Sequence, residues 1–270
     1  MPISAKDVMS LRQRTGVGMM ECKAALNEAD GDMDKAVELL REKLKGKMDE
    51  RSDREAAEGV VAIATTDGAA AMIELLSETD FAARNDNFVA GADKIARLAL
   101  ACPDGDVNAT DEMTALIDEL RITIKENISL GNAVRLSAPV VGSYVHHNHQ
   151  LGALVTGEGD LSAELLTGLC QHIAAAVPPM MPSPLAVDEA SLPADAVANQ
   201  KEAFAEEARA SGKPENIIEK MIAGKVRKWI DENTLLGQTY IRELDAKKPI
   251  RDYLPDGSKI TGFVRFALGK

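Results

Sequence analysis

Asp67-Gly68 stands between two β-capable runs, G-V-V-A-I-A-T-T before it and A-A-A-M-I-E-L-L-S after it. A two-residue Asp-Gly link tolerates the left-handed backbone of a tight turn, so this arrangement predicts a β-hairpin. After Thr79-Asp80 the pattern becomes helical. Phe88, Ala92, Ile95, Ala96 and Ala99 recur at helical spacing until Cys102-Pro103-Asp104-Gly105 ends the run, and Asp111 to Glu126 carries Leu116, Ile117 and Leu120 on one side. The layout then recurs. A-P-V-V-G-S-Y-V-H-H-N-H-Q-L-G-A-L-V-T places two β runs around a polar turn, and Leu161 to Val177 follows as a helix. Hairpin and helix, twice over, predict an α+β fold with a two-subdomain core.

The segment ahead of the first hairpin reads as three short helices. Ser4 with Asp7 has the spacing of a capping box, T-G-V-G at Thr15–Gly18 breaks the chain, and Asp32 caps a third helix. Cys22, Ala25, Leu26 and Ala29 share one face of the second helix; Met33, Ala36, Val37, Leu40 and Leu44 form a stripe on the third. Lys45–Glu55 is charged, as a linker or a solvated helix end would be. Near the other end, Pro178–Pro184 must be extended, because its four prolines cannot sit inside a helix. Helical runs from about Pro193 to Ser211 and from Pro214 to Glu232 flank an S-G-K-P turn and predict an antiparallel helical hairpin. Leu235–Ile241 and Ile260–Leu268 read as strands, so this hairpin is inserted within the second half. The expected divisions are 1–54, a helical module with its linker; 55–138, the first core half; and 139–270, the second, with the hairpin at 185–232. A chain of 270 residues, 45% hydrophobic, supports two or three such units.

Charge narrows the partners. Residues 1–54 balance acid and base, so the net −12 lies in the remainder. An acidic body argues against direct nucleic-acid binding and favours protein partners with basic patches. Cys22, Cys102 and Cys170 are scattered, without metal spacing or a disulfide framework, and are expected as buried thiols in a reducing cytosol. No run approaches the roughly 18 apolar residues of a membrane span, and a cytoplasmic protein is expected. His146, His147 and His149 raise a metal site, but no carboxylate or cysteine nearby completes a set, so no metal and no cofactor is expected. Neither T-G-V-G nor G-E-G has the strand–helix setting of a dinucleotide loop. No nucleophile with its base is recognisable. The chain is expected to work by binding, not as an enzyme.

Two stretches point to what binds. Met19-Met20 opens a helix, and adjacent residues there face different sides; methionine adapts to partner surfaces, although one of the two can be core. In Thr79-Asp80-Phe81, Asp80 can cap a helix with Phe81 as core, or Phe81 can project as a tip. Phe81 is the first aromatic residue in the chain.

L-R-Q-R-T-G-V-G-M-M-E-C-K-A-A-L, Leu11–Leu26, resembles the signature of the elongation factor Ts family, nucleotide exchange factors of elongation factor Tu. T-D-F-A-A-R-N at Thr79–Asn85, S-G-K-P-E-N-I-I-E-K-M-I-A-G-K at Ser211–Lys225 and T-G-F-V-R-F at Thr261–Phe266 also resemble it, in order. Ser77 and Ala82 stand where the family commonly has cysteine and valine, and H-H-N-H replaces a more usual single histidine. The resemblance implies a ubiquitin-associated-like N-terminal domain, a core of two related subdomains and the inserted hairpin. It implies that Thr79, Asp80, Phe81 and Ala82 act at the partner's Mg²⁺ site, with Phe81 as a wedge. Leu11, Arg12, Met19 and Met20 would anchor the N-terminal module on elongation factor Tu, GDP-bound and nucleotide-free, and His146 or His147 would contact it from the core. The projecting hairpin is open to two uses, a homodimer contact and a partner contact.

Overall fold

The computed structural model describes residues 3–49, 54–175, 181–210 and 214–269. Helix α1 (Ala5–Thr15) begins in a complete capping box. The Ser4 hydroxyl accepts the Asp7 N–H at 3.2 Å, and the Asp7 carboxylate accepts the Ser4 N–H at 3.0 Å. The Ser4 hydroxyl also donates to the Asp7 carboxylate at 2.6 Å, and this bond, followed by the one from the Ser4 N–H, holds the Asp7 carboxyl below its ordinary range. Gly16 ends α1 in the left-handed region, φ 66°. Helices α2 (Met19–Glu28) and α3 (Met33–Asp49) follow, with Asp32 Oδ1 accepting the N–H groups of Asp34 and Lys35 at the start of α3. The backbone helix thus runs into the charged stretch as far as Asp49; residues 50–53 and the Leu44 side chain lie outside the described residues. Leu11, Val17, Cys22, Leu26, Ala36 and Leu40 form the centre of this module.

Next come β1 (Glu58–Thr66), β2 (Ala69–Ser77), α4 (Asp80–Ala83), α5 (Asp86–Ala99), β3 (Gly105–Asp106), α6 (Asp111–Ile124) and β4 (Ser129–Ser137). The strands make one antiparallel sheet, ordered β1-β2-β4-β3. Thr66 pairs with Ala69 across Asp67-Gly68, with Gly68 at φ 75°. Strand β4, which the sequence did not disclose, lies between β2 and β3. Its S-L-G-N-A-V-R-L-S pattern is broken by Gly131 and Asn132, whose N–H and side-chain amide both donate to the buried Glu74 carboxylate of β2. Then follow β5 (Val140–Val145), β6 (Leu151–Glu158), α7 (Ala163–Ala174), α8 (Ala194–Ala210), α9 (Glu215–Asn233) and β7 (Lys259–Ala267). Their strands form a second antiparallel sheet, β5-β6-β7.

The two sheets lie face to face between outer helices. Val60, Ile73 and Leu75 of the first sheet pack outward on Phe88 and Ile95 of α5 and Met113 of α6. Val61, Ala70, Met72 and Val134 pack inward against Leu154 of β6. Leu154's neighbours Ala153 and Val155 turn to Leu166, Leu169 and Ile173 of α7. Strands covered on both faces read as continuous apolar runs, which accounts for the sequence on either side of Asp67-Gly68. Ile122 of α6 extends into the N-terminal helical core and joins that module to the first sheet's layer.

Helices α8 and α9 run side by side, with Lys225 paired to Glu207 at 2.6 Å and lying 5.6 Å from the Phe204 ring centre. Part of the proline stretch (residues 178–180), the end of the predicted helix at Val177 and the turn residues 211–213 lie outside the described residues. Leu235–Ile241 is not a strand. Leu235 and Leu236 donate to the carbonyls of Ala186 and Val187, but Gly237 and Gln238 turn back onto the Thr234 carbonyl, and a 3-10 turn starts at Ile241. The apolar composition of this segment serves the core under α7 instead, through Leu235 and Tyr240. Among the described residues, no helix is long and apolar enough to cross a membrane.

Candidate functional site

Strand β2 ends at the buried Ser77, whose hydroxyl donates to the Thr79 carbonyl at 3.1 Å. Thr79, not Asp80, is the N-cap of α4: its hydroxyl oxygen accepts the Ala82 N–H at 3.2 Å. Asp80 is the first helical residue, a place where a carboxylate interacts favourably with exposed backbone N–H groups. One turn later Arg84 pairs with it, Nη2 to Oδ2, at 3.2 Å. In so short a helix the inner and outer faces divide sharply. Ala82 and Ala83 are buried, while Phe81 is 82% exposed. Of the two readings of Phe81, the core one is thereby overturned. Ala82, expected as a contact residue, is 5% exposed in the free chain.

The N-terminal module presents a second apolar group. Met19 and Met20 are both exposed at the start of α2, where Gly18 supplies no side-chain cap. Arg12 is exposed on α1. Leu11, expected beside it as an anchor, is wholly buried in the module's core and has no surface to offer. Its physical role is to hold α1 against α2 and α3.

The C-terminal corner of α6 touches the element that carries each group. Lys125 adopts a left-handed conformation, φ 68°, which ends the helix and turns the chain. Its ammonium lies 3.8 Å from Glu21, the residue after Met20. Its neighbour Glu126 accepts from both the N–H and the hydroxyl of Thr79, at 3.0 and 2.6 Å. Asn127 completes the corner, donating its N–H to Glu78 and its side-chain amide to the Arg54 carbonyl. Sequence reasoning did not find Glu126 or Arg84. Glu126 is 47 residues from Thr79, so no local pattern marks it; Arg84 stands four residues after Asp80, a helical spacing that carries the pairing signal.

The histidine turn is anchored elsewhere, in the middle of β1, where the Val61 N–H donates to the His149 carbonyl. His146 is half-buried, its Nδ1 hydrogen-bonded to the Tyr144 hydroxyl at 2.8 Å, and the exposed His147 ring lies 4.2 Å from it, centre to centre. Among the described residues, no three His, Cys, Asp or Glu side chains come together to hold a metal ion. Cys22 and Cys170 are buried thiols and Cys102 is half-buried; burial pushes the Cys170 thiol up to about 12. An exposed aromatic on a braced turn and an exposed methionine pair on the N-terminal module are apolar groups left open to solvent.

A sequence model of the family described as Elongation factor TS matches residues 78–270. Whole-chain comparison finds elongation factor Ts of Alkalilimnicola ehrlichii, 40% identical over 282 residues, covering 100% of this chain and 93% of the relative. The elongation factor Ts of Thioalkalivibrio sulfidiphilus is 39% identical over 282 residues, with the same coverage. That of Methylococcus capsulatus is 40% identical over 283 residues, again covering 100% and 93%.

Proposed function

The chain belongs to the elongation factor Ts family, and from that premise we propose that it is a guanine nucleotide exchange factor for elongation factor Tu in translation elongation. The observation that carries the reading is the exposure of Phe81, 82%, on a turn held by hydrogen bonds to the Thr79 carbonyl, the Thr79 N–H and the Ala82 N–H. An apolar side chain held out in this way is available to another protein.

A GTP-binding protein holds GDP through Mg²⁺ and backbone N–H groups around the phosphates. A partner that favours a nucleotide-poor conformation speeds release, and by reciprocity GDP weakens that partner by the same free energy. In our reading Phe81 is the wedge, and Asp80 brings a carboxylate to the Mg²⁺ and phosphate region. Arg12, Met19 and Met20 anchor the module, and the turn bearing His146 and His147 grips a second surface of the same partner. Binding at the remote surfaces offsets strain at the nucleotide site. No bond chemistry is asked of this chain.

The domain plan follows the same reading: residues 1–54 as a ubiquitin-associated-like module with its linker, 55–138 and 139–270 as related core halves, and 185–232 as the inserted hairpin. The sheets, the separate helical core and the change of sheet at Pro139 support it. The test is loss of labelled GDP from preloaded elongation factor Tu, with and without the chain. Acceleration is expected; an unchanged rate across a range of concentrations sinks the reading.

A further inference from the structure

Helix α4 has four residues, too few to persist on its own. Its internal bonds amount to little: Ala83 N–H to the Thr79 carbonyl at 3.2 Å and Arg84 N–H to the Asp80 carbonyl at 3.1 Å. Phe81 points away from the core, so its direction is set by the backbone of this turn. Something outside the turn must fix that backbone: the Ser77 hydroxyl holds the Thr79 carbonyl, and Glu126 takes the N–H and hydroxyl of the same residue. One carboxylate oxygen takes the Thr79 N–H and the other takes the Thr79 hydroxyl hydrogen. Because the hydroxyl donates to Glu126, a lone pair is left facing the Ala82 N–H, which it accepts. The carboxylate therefore sets both the position and the hydrogen-bond polarity of the cap. Hydrogen bonds to an ionised acceptor are the stronger class, and Glu126 is half-buried, away from full competition by water.

We propose that Glu126 is a positioning residue for exchange: its two-point hold on Thr79 fixes the turn that aims Phe81 at the partner. This rests on the exchange reading above, with a consequence for the free chain that does not.

Two measurements test it. The first is amide hydrogen exchange of the free full-length chain. Glu126→Ala is expected to raise exchange at Thr79 and Ala82 by about tenfold or more, the scale of one charge-assisted hydrogen bond. Unchanged protection there overturns the clamp. The second is GDP release from elongation factor Tu as a function of chain concentration. Glu126→Ala and Thr79→Val are expected to lower the maximal rate about tenfold, with the half-saturating concentration within about twofold of the parent. Thr79→Ser, which keeps the hydroxyl, is expected to keep the amide protection at Ala82 in the free chain. Adding Glu126→Ala to Phe81→Ala slows release no further than Phe81→Ala alone. Additive losses, or a loss in half-saturation alone, overturn the positioning role.

Glu126→Gln keeps the size and one good acceptor and separates aim from folding. Its maximal rate should fall while its unfolding midpoint stays parental; a rate loss that merely follows a falling midpoint overturns the proposal. If the parent chain fails to release GDP at all, the exchange reading falls, and the amide measurement alone decides the clamp.

Discussion

Phe81 and Phe88 sit at the two ends of one helix–corner–helix segment in opposite environments: Phe81 is 82% exposed, and Phe88 is wholly buried under the first sheet. The corner between them explains the difference. Asn85 caps α5 by accepting the Asn87 N–H, which restarts the helix in a new direction and turns Phe88 inward. Truncating each ring should therefore separate function from folding. Phe88→Ala is expected to cost about 3–5 kcal/mol in urea unfolding. Phe81→Ala should stay within about 0.5 kcal/mol of the parent while slowing stimulated GDP release. A large stability loss from Phe81→Ala would show that the ring packs after all.

The N-terminal module allows the same separation. Leu11 is fully buried, and Leu11→Ala should destabilise the chain by about 2–5 kcal/mol. The double change of Met19 and Met20 to Ala, both exposed, should leave the unfolding midpoint nearly unchanged and weaken association with elongation factor Tu several-fold, without lowering the exchange rate at saturation. Titration calorimetry beside the GDP-release assay reads the two effects. Unaltered affinity with a slowed exchange step would remove the anchor role.

How far the sequence discloses this architecture depends on the range of the forces involved. The N-terminal helices are legible because their signals are local: Ser4 with Asp7, Gly16, Asp32. The first hairpin is legible because Asp67-Gly68 carries its own turn chemistry. Strand β4 is not, since its polar middle makes sense only against Glu74, 58 residues earlier. Leu235–Ile241 has a strand's composition, but the backbone at Gly237 and Gln238 bonds back to Thr234, a choice set by the base of the helical hairpin. At the candidate site, Phe81 was readable as core or tip from local pattern, and only the inward turn of Ala82 and Ala83 decides between them. Leu11 lies inside a recognition motif and also serves the module's core, which no local pattern distinguishes from a surface position.

The contact between the sheets makes a further prediction. A Cβ on Gly152 of β6 would stand 2.7 Å from Val61 Cγ1 and 3.0 Å from the Met72 sulfur. Real side chains do not pack that closely, so Gly152→Ala must push the layers apart or distort β1. A loss of about 1–3 kcal/mol is expected. Val61→Ala opens space at the same point, so the double variant should be more stable than the sum of the single losses requires. Simple additivity, measured by urea unfolding, would mean that the sheets do not meet there.

The last prediction concerns pH. His172 is fully buried on α7, and both ring nitrogens are committed. Nδ1 accepts the Ile241 N–H at 3.2 Å, so the proton must sit on Nε2, which donates to Gln238 Oε1 at 2.8 Å. The Gln238 amide in turn donates to the carbonyls of Pro182 and Glu232, at 2.8 and 2.7 Å, tying α7 to the foot of α9. A second proton on the ring would face the Ile241 N–H, and burial holds the imidazole below its ordinary 6.5. The sign follows. Above about pH 6.5 the ring is neutral folded or unfolded, and the full stability is present. As pH falls from there towards the lowered folded value, the unfolded chain takes up a proton that the folded chain refuses. This site alone then contributes a decline of up to about 1.4 kcal/mol per pH unit. Urea unfolding at several pH values between about 7.5 and 5 should show this slope. In His172→Gln, whatever its absolute stability, the one-proton component of the slope should be gone. Parallel slopes in the two chains would show that another group carries the dependence and that His172 titrates freely.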